Sequence, residues 1–374
     1  SAEFESNSQQ LGDNWTPPGK LHDTIQGADG EYEIWKGSLD DPAVKQLNRR
    51  VQFLIPLLIE GGSYIDKPSD DESEEMTDAD RWTLFCLYKK QPSTDDPSKS
   101  SYVFVGYSTL YQFFHFAPPS PPASPQSAWE MPTGDFSLST LPCRTRLSQF
   151  IILPPFQGKG NGHRLYQSIF QHYLNDKQTL EFPIENPNEA FDDLRDVCDL
   201  LFLKSRPDFQ ALKLEAEPPL PNSGRLPKVV TGAEDLEAMR HKYKIARRQF
   251  ERVLEMHIMS QLPESVRPSI NPEDVLKPAS KADRQVQRKW EVMVKQRLYR
   301  HNKELLADVD VSTRTEKLHE TLKGIELDYA RILASYESAR KHSSNGAKPS
   351  SNGKRKLDDS DDSQSSKKVR VESA

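Results

Sequence analysis

Short apolar runs and helically spaced apolar positions alternate along the first half of the chain. The short runs predict strands, at residues 32–35, 82–88, 102–111, 147–153 and 178–185. Helical spacing predicts one helix that begins at Asp41 and is interrupted by Pro56, and another over residues 163–174. This order predicts an α+β domain in which a mostly antiparallel sheet becomes parallel around one helix.

Three longer amphipathic patterns follow and predict a C-terminal helical region. They cover residues 232–262, 282–306 and 313–342. The last pattern carries an apolar stripe, formed by Leu318, Leu322, Ile325, Tyr329, Ile332 and Leu333. Basic residues alternate with acidic ones here instead of forming one basic face. We therefore expect these helices to pack on one another or on the first domain, with docking of a partner as the alternative. We expect no direct contact with nucleic acid.

The most informative segment joins a predicted strand to a predicted helix, at residues 149–166. Gly158, Gly160 and Gly162 lie in the turn between them. Without side chains at these positions, successive backbone N–H groups can converge on an anion at the helix N-terminus. We expect the turn to bind a phosphorylated ligand.

Two other phosphate-binding motifs fit this turn less well. A dinucleotide-binding fold would open with such a turn, whereas this one follows antiparallel-looking strands in the middle of the chain. Glu181 and Glu185 do lie near the distance at which that fold places its acidic residue. A P-loop requires Gly-Lys-Ser/Thr, but Lys159 is followed by Gly160.

The turn resembles the acetyl-CoA loop of the GNAT acetyltransferases, whose pattern Gln/Arg-x-x-Gly-x-Gly/Ala is met by Gln157, Gly160 and Gly162. Longer strings are similar to the catalytic subunits of type B histone acetyltransferases, at residues 57–66, 105–111, 153–160 and 185–196. The resemblance extends over roughly residues 15–265. It implies a GNAT acyltransferase fold with a mixed, mostly antiparallel sheet, followed by the C-terminal helical region.

In that family the pantetheine arm of acetyl-CoA pairs with an exposed strand edge, as an added strand would. The resemblance assigns the acetyl-CoA site to Phe150, Ile151, Ile152, Gln157, Gly158, Lys159, Gly160, Asn161, Gly162, His163 and Asn188. Residues 150–152 would supply the edge, and residues 157–163 the pyrophosphate cradle. A plain buried strand would produce the same apolar run, and only the adjoining glycine turn favours the functional interpretation.

Transfer of an acetyl group to lysine requires a neutral amine, although the reference pKa of lysine is about 10.4. A carboxylate near the thioester can accept the proton. Glu185 ends the strand after the cofactor helix, and its place in the family-like string Glu-Asn-Pro-Asn makes it our predicted general base. Glu60 is a second catalytic candidate that could assist the base or hold the substrate lysine. The family commonly has an acidic residue after the base, whereas this chain has Asn186.

A strand segment and two cysteines bear on substrate binding and on the possibility of a covalent mechanism. Tyr111, Gln112 and Phe113 correspond to a peptide-binding region of the family, although aromatic residues on a strand are also typical of a core. A cysteine nucleophile would imply a two-step mechanism. Neither Cys143 nor Cys198 has a histidine nearby in the sequence. We therefore expect direct attack in a ternary complex.

Composition limits the compartment and the cofactors. The three cysteines have no disulfide or metal spacing, so we expect no metal and a reducing, intracellular compartment. No apolar run approaches the length of a membrane span, and we expect no membrane association. The net charge of −6 includes an acidic loop at residues 70–75, which either steers a basic peptide toward the site or keeps the surface solvated.

The expected organisation has four parts. Residues 1–30 form a flexible leader or the end of an N-terminal domain, residues 31–225 the GNAT core, residues 230–342 the helical domain and residues 343–374 a disordered tail. Basic clusters at 354–356 and 367–370 look like a bipartite nuclear localisation signal, which predicts a protein of nucleus and cytoplasm. Type B enzymes usually have a further N-terminal domain, most of which we expect this chain to lack.

The resemblance implies a histone acetyltransferase that acetylates lysines on the tail of free histone H4 and works with a WD-repeat histone-binding subunit. Two other classes remain. One is a non-catalytic sensor of acetyl-CoA, because a cradle does not prove a working base. The other is a nuclear histone-interaction scaffold that uses the C-terminal helices. The glycine turn and Glu185 favour the enzyme.

Overall fold

The fold is described from a computed structural model of the chain. It describes residues 15–66, 76–92, 99–114, 141–215, 217, 219–221, 229–270 and 278–345. The acidic loop at 70–75 and both basic clusters of the tail lie outside the described residues. Within the described residues, no helix is both long and apolar enough to cross a membrane.

A six-stranded sheet in chain order forms the centre of the first domain. The strands are β1 (Lys20–Gly27), β2 (Gly30–Ser38), β3 (Trp82–Pro92), β4 (Ser100–Phe114), β5 (Cys143–Ile152) and β6 (Thr179–Glu181). Neighbours from β1 to β5 pair antiparallel, and β5 pairs parallel with β6. The expected GNAT fold with a mixed, mostly antiparallel sheet is confirmed.

Strand β1 lies in the segment that we predicted as a leader. It pairs with β2 over its whole length, from Lys20 opposite Lys36 to Gly27 opposite Gly30. An edge strand buries little of its surface, so β1 is largely polar and gives almost no apolar signal in the sequence.

In the described part of the first domain, five α-helices accompany the sheet: α1 (Pro42–Val51), α2 (Ile55–Leu58), α3 (Asn161–Asn175), α4 (Glu189–Leu203) and α5 (Pro207–Gln210). Asp41 caps α1, since its carboxylate accepts hydrogen bonds from the backbone N–H groups of Ala43 and Val44. The predicted helix from Asp41 is broken as expected, by a turn at residues 52–54, and Pro56 lies in the first turn of α2.

The C-terminal region begins with the hairpin β7 (Lys213–Leu214) and β8 (Val230–Thr231). Its helices are α6 (Leu236–Lys242), α7 (Arg247–Gln261), α8 (Lys281–His301), α9 (Lys303–Ala307) and α10 (Val311–Asn345). The single helix predicted over 232–262 is wrong, because Lys244 has a φ of 55° and ends α6. The Lys244 carbonyl accepts the Phe182 N–H at 2.7 Å, so the break adds backbone pairing beside β6.

Two hydrophobic clusters cover the two faces of the sheet. The smaller one packs α1 against β3 and β4. The larger one joins the other face of the sheet to α3, α4 and the C-terminal helices. The predicted stripe on α10 takes part in it, with Leu322, Tyr329 and Ile332 buried. The C-terminal helices therefore share one continuous core with the sheet.

Candidate active site

The sheet opens into a fork between β5 and the segment that follows β6. The last parallel contacts are at Leu147, whose N–H donates to Pro183 C=O (3.0 Å) and whose C=O accepts from Glu185 N–H (2.9 Å). Beyond Leu147, β5 continues to Ile152 beside β4. Glu185 is thus fixed at the point where the two strands separate.

The residues after Glu185 explain why the chain leaves the sheet there. Asn186 has a φ of 38°, and Pro187 follows it. Asn188 then caps α4, because its side-chain oxygen accepts the Phe191 N–H at 2.9 Å. This contact is a structural role for Asn188, which we predicted as a cofactor contact.

The fork exposes one backbone edge of β5. Leu153 N–H donates to Val105 C=O at 2.9 Å, so the backbone of Leu153 faces β4. Because backbone groups alternate along a strand, Ile151 also faces β4, whereas Phe150 and Ile152 face the open side. The Ile152 carbonyl already accepts the Gln157 side-chain amide at 2.8 Å. The edge that could pair with a ligand is therefore centred on Phe150.

The three glycines of the turn have different roles. Gly158 and Gly160 have φ values of 71° and 77°, a left-handed conformation that favours glycine. At Gly162 an added Cβ would lie 3.2 Å from Leu194 Cδ2. Gly158 and Gly160 thus shape the turn, while Gly162 allows α3 to pack closely on α4.

Polar side chains brace the same turn from within. Lys159 Nζ donates to Pro155 C=O, and Asn161 Nδ2 donates to Phe156 C=O, each at 2.9 Å. Arg164 Nη1 donates to Asn161 Oδ1 at 2.7 Å and to Lys159 C=O at 3.0 Å. Arg164 was not among our predicted site residues. These four hydrogen bonds connect the turn to itself and to the first residues of α3.

His163 turns away from the cradle. Its Nδ1 lies 3.0 Å from the Cys198 sulfur, so the structure supplies the histidine that sequence spacing did not suggest. Burial raises the pKa of Cys198 and lowers the pKa of His163. Cys198 is 2% exposed and stays a neutral thiol, which is the opposite of a reactive cysteine. Cys143 is also buried, and burial raises its pKa.

Two donors hold one oxygen of the predicted base. Ser148 Oγ donates to Glu185 Oε2 at 2.7 Å, and Arg146 Nη2 lies 3.0 Å from the same atom. Among the described residues, Oε1 accepts no hydrogen bond, and the side chain is 38% exposed. Ser148 falls at a register shift between β4 and β5, and such bulges often redirect side chains beside active sites.

Arg146 also connects Glu185 to the predicted peptide-binding residues. Its guanidinium lies 4.6 Å from the centre of the Phe113 ring, which contacts the Tyr111 ring at 4.6 Å. Gln112 lies between them on β4, half-buried. Arg146 and Ser148 were not among the predicted site residues. The signal for them was a polar residue at every second position of the first part of β5, at Arg144, Arg146 and Ser148.

Glu60 lies just beyond α2 and is exposed. The loop after it is tied to β5, because Gln149 Nε2 donates to Ser63 C=O at 2.9 Å. The structure thus places Glu60 near the loop that adjoins β5, without a direct contact to Glu185. In the described part of the chain, no group of three or more His, Cys, Asp or Glu residues is arranged to hold a metal ion.

The forked sheet with its free edge and glycine turn is the architecture of a GNAT-type acyltransferase. The family described as "Histone acetyl transferase HAT1 N-terminus" matches residues 1–60, and "Fungal HAT1, C-terminal" matches residues 228–262. A protein of Gibberella zeae is 55% identical over all of this chain and 78% of its own length. One of Neurospora crassa is 44% identical over all of this chain and 79% of its own length.

Both relatives carry the name "Histone acetyltransferase type B catalytic subunit". Among solved structures, an aminoglycoside acetyltransferase from a soil metagenomic sample is 14% identical over 55% of this chain and 96% of its own length. Its TM-score of 0.26 is too low to transfer structural detail. The chain belongs to the family of type B histone acetyltransferase catalytic subunits, which implies acetyl-CoA as its co-substrate.

Proposed function

We propose that this protein transfers the acetyl group of acetyl-CoA to lysine side chains on the tail of free histone H4, with Glu185 as the general base. The observation that carries the proposal is the position of Glu185. Its backbone is bonded to Leu147 at the fork, and Ser148 and Arg146 hold one of its oxygens. The predicted base thus lies where a ligand on the free edge of β5 would end.

Acetyl-CoA is proposed to follow the open side of β5. The pantetheine arm would pair with the free backbone groups of Phe150, as an added strand does. The pyrophosphate would then reach the turn at Gly158 and Gly160 and the first N–H groups of α3, where the helix dipole favours an anion. The bracing by Arg164 supports this placement, because a preorganised cradle loses little entropy on binding.

The reaction is proposed as direct attack without a covalent enzyme intermediate. Glu185 Oε1 accepts a proton from the lysine ammonium, and the neutral nitrogen bonds to the thioester carbon as the carbon–sulfur bond breaks. The nitrogen releases its second proton as the amide forms, and the thiolate of coenzyme A leaves and takes up a proton in turn. Ser148 and Arg146, both on Oε2, act as positioning residues that keep Oε1 available to the substrate. The buried, neutral Cys198 favours this route over a cysteine nucleophile.

The substrate tail is proposed to cross the end of β4, where Tyr111 and Phe113 adjoin Arg146. Glu60 would add a carboxylate near a basic tail. A WD-repeat histone-binding subunit as partner, and residence in both nucleus and cytoplasm, remain proposals from the family resemblance. The alternatives are a non-catalytic sensor of acetyl-CoA and a nuclear histone-interaction scaffold, and neither would transfer an acetyl group.

The test compares Glu185→Gln with Glu189→Gln. Glu189 is the matched control, because it is an exposed glutamate four positions further on, in the first turn of α4. Each protein is incubated with labelled acetyl-CoA and free histones, and mass spectrometry locates the label. We expect Glu185→Gln to lower the rate of transfer to H4-tail lysines about 100-fold or more, with acetyl-CoA affinity unchanged. Glu189→Gln should match the unmodified chain.

Two results would contradict the proposal. Equal transfer rates for both variants would remove Glu185 as the base. If the unmodified chain binds acetyl-CoA but acetylates no histone, the result would favour the sensor of acetyl-CoA. Transfer to other histones but not to H4 would keep the mechanism and change the substrate.

A further inference from the structure

A second polar cleft lies beside α4, on a face of the helix next to the one that contacts the cofactor edge. It encloses about 490 Å³ between the turn after Glu185, helix α4 and the start of α7. The charged and polar residues that line it are Asn186, Asp192, Arg195, Arg248, Gln249, Arg252 and Arg297. None of our proposed catalytic or cofactor residues is among them.

Arg195 is the residue that points to a ligand. It is 93% buried, since its exposure is 7%, and its Nε has no hydrogen-bond partner among the described residues. Asp199 Oδ2 is 3.7 Å from Nε, close enough for an ion pair but beyond hydrogen-bond distance. A buried N–H group without a hydrogen-bond acceptor is costly. An anion in the cleft would satisfy it.

The start of α7 adds further donors to the same cleft. Ala246 stands at its N-cap position and provides no side-chain acceptor, and the first turn contains no acidic residue. The first N–H groups of this 15-residue helix are therefore uncapped, at the positive end of its dipole. Arg248 in this turn lines the cleft, is exposed, and forms no ion pair with the described residues.

The other charges of the cleft are accounted for. Arg252 is paired with Asp196 and Asp328, each at 2.6 Å, and Arg297 is paired with Glu255 at 2.8 Å. Asp192 is the acidic residue of the lining, and it opposes an anion. Burial raises the pKa of Asp192. Arg248 and Asp192 are thus the charged residues of the lining without an ion pair among the described residues, and Arg195, which is ion-paired with Asp199, keeps one N–H group without a hydrogen-bond acceptor.

The cleft is separate from the proposed acetyl-CoA path. Two neighbouring residues of α4 face that path, since the Phe191 ring contacts the Phe150 ring at 5.0 Å and Leu194 packs on Gly162. Asp192 and Arg195 line the cleft instead. Two adjacent faces of α4, offset by roughly 100°, therefore line the two sites.

We propose that this cleft binds a phosphate group, held by Arg195, Arg248 and the first N–H groups of α7. A phosphate suits the site because its oxygens can accept from a guanidinium and from helix N–H groups in several directions at once. The phosphate could belong to a free small molecule or to a phosphorylated side chain. The chemistry of recognition is the same for both.

The test uses the full chain saturated with coenzyme A, so that phosphate at the glycine turn cannot account for the signal. The thermal midpoint is measured in sodium phosphate and in sodium chloride at equal ionic strength, because a ligand that binds the folded state raises the midpoint. Arg248→Gln is compared with Arg247→Gln, an exposed neighbour that pairs with Glu251 and does not line the cleft.

We expect Arg248→Gln to weaken phosphate binding about tenfold, since it loses a charge-assisted hydrogen bond. Arg247→Gln should behave as the unmodified chain, and Asp192→Asn should bind phosphate more tightly because a repulsive charge is gone. An equal rise of the midpoint in all four proteins would be a general salt effect and would overturn the proposal.

A parallel titration with O-phosphoserine separates the two sources. One outcome is that O-phosphoserine raises the thermal midpoint more than inorganic phosphate does, with the rise lost in Arg248→Gln. That result would indicate that the ligand is a phosphorylated side chain. A response to inorganic phosphate alone, with the same dependence on Arg248, would indicate a free small anion. If neither probe depends on Arg248, the cleft is not a phosphate site.

Discussion

The fork beside β5 and the junction of α4 with α7 each contain a carboxylate that is bonded to an arginine. The two regions differ in how many of the carboxylate oxygens are bonded. At the fork, Glu185 has one oxygen held by two donors and is 38% exposed. At the junction of α4 with α7, Asp196 is 0% exposed. Both of its oxygens accept hydrogen bonds there, from Gln249 and Arg252.

This difference separates a carboxylate that can react from one that holds helices together. A buried carboxylate must have all its acceptors filled, because an unpaired charge in the interior is costly. A catalytic carboxylate needs one oxygen free and a path to the substrate. Charge does not distinguish Glu185 from Asp196, whereas exposure and an unfilled oxygen do.

The largest expected effect is on stability at the junction. Asp196→Ala should lower the free energy of unfolding by roughly 3–5 kcal/mol, because Arg252 and Gln249 lose their buried acceptor. Glu185→Ala should change it by less than about 1 kcal/mol, because its ion pair with Arg146 is partly exposed. Urea unfolding of both variants measures the difference. Equal losses would show that the fork is as structural as the junction.

Acid should lower the free energy of unfolding through His257, which lies on α7 at the helical junction. Burial lowers the pKa of His257 to about 4. The unfolded chain, in which the pKa of His257 is about 6.5, takes up the proton more readily than the folded chain does. The contribution of His257 to the free energy of unfolding is therefore complete above pH 6.5 and is lost as the pH falls toward 4. The loss is at most roughly 3 kcal/mol for this residue.

His257→Gln removes this contribution, so its unfolding free energy should depend less on pH between 6.5 and 4 than that of the unmodified chain. Asp199 acts in the opposite direction, because burial raises its pKa to about 6 and its contribution is lost as the pH rises. Asp199 is present in both proteins and cancels in the comparison. Identical pH profiles from urea unfolding would refute the assignment to His257.

At the fork, Arg146→Gln should lower kcat/KM for acetyl transfer about tenfold, because Glu185 Oε2 loses a charged donor and the carboxylate can rotate. Arg144→Gln is the matched control. Arg144 is two residues earlier on β5 and pairs with Glu181 at 2.5 Å. Steady-state kinetics with an H4-tail peptide should show the control within about twofold of the unmodified chain. A similar fall in both would deny Arg146 its positioning role.

The smallest effects should separate two glycines of the turn. Gly160→Ala places a side chain at a φ of 77°, which costs roughly 1 kcal/mol and disturbs the cradle. Its acetyl-CoA affinity should fall several-fold, as measured by calorimetry. Gly162→Ala instead crowds Leu194, so it should lower stability with little change in affinity. Equal loss of affinity would place both glycines in the cradle.

Much of this arrangement is visible in the sequence, and the reasons are local. The strands β3 to β5 and helix α3 carry clear apolar periods, and the glycine turn lies between two of them. The order of strand, turn, helix and Glu185 follows directly. Strand β1 is the exception, since an edge strand with few apolar residues has no such period.

The remaining features depend on contacts between distant residues. Ser148 and Glu185 are 37 positions apart, and they meet because β5 and the following segment pair in parallel up to Leu147. The break at Lys244 likewise depends on the Phe182 N–H that it accepts. Neither contact has a signal in local spacing. The cleft beside Arg195 also required the packing of α4 on α7.

The most direct test of the account is hydrogen–deuterium exchange of the backbone amides with and without acetyl-CoA. The account predicts slower exchange with acetyl-CoA at Phe150 and across residues 158–163, and unchanged exchange in α7 and α10. Bound acetyl-CoA with no slowing at β5 would contradict the claim that its open edge receives the co-substrate and brings the thioester to Glu185.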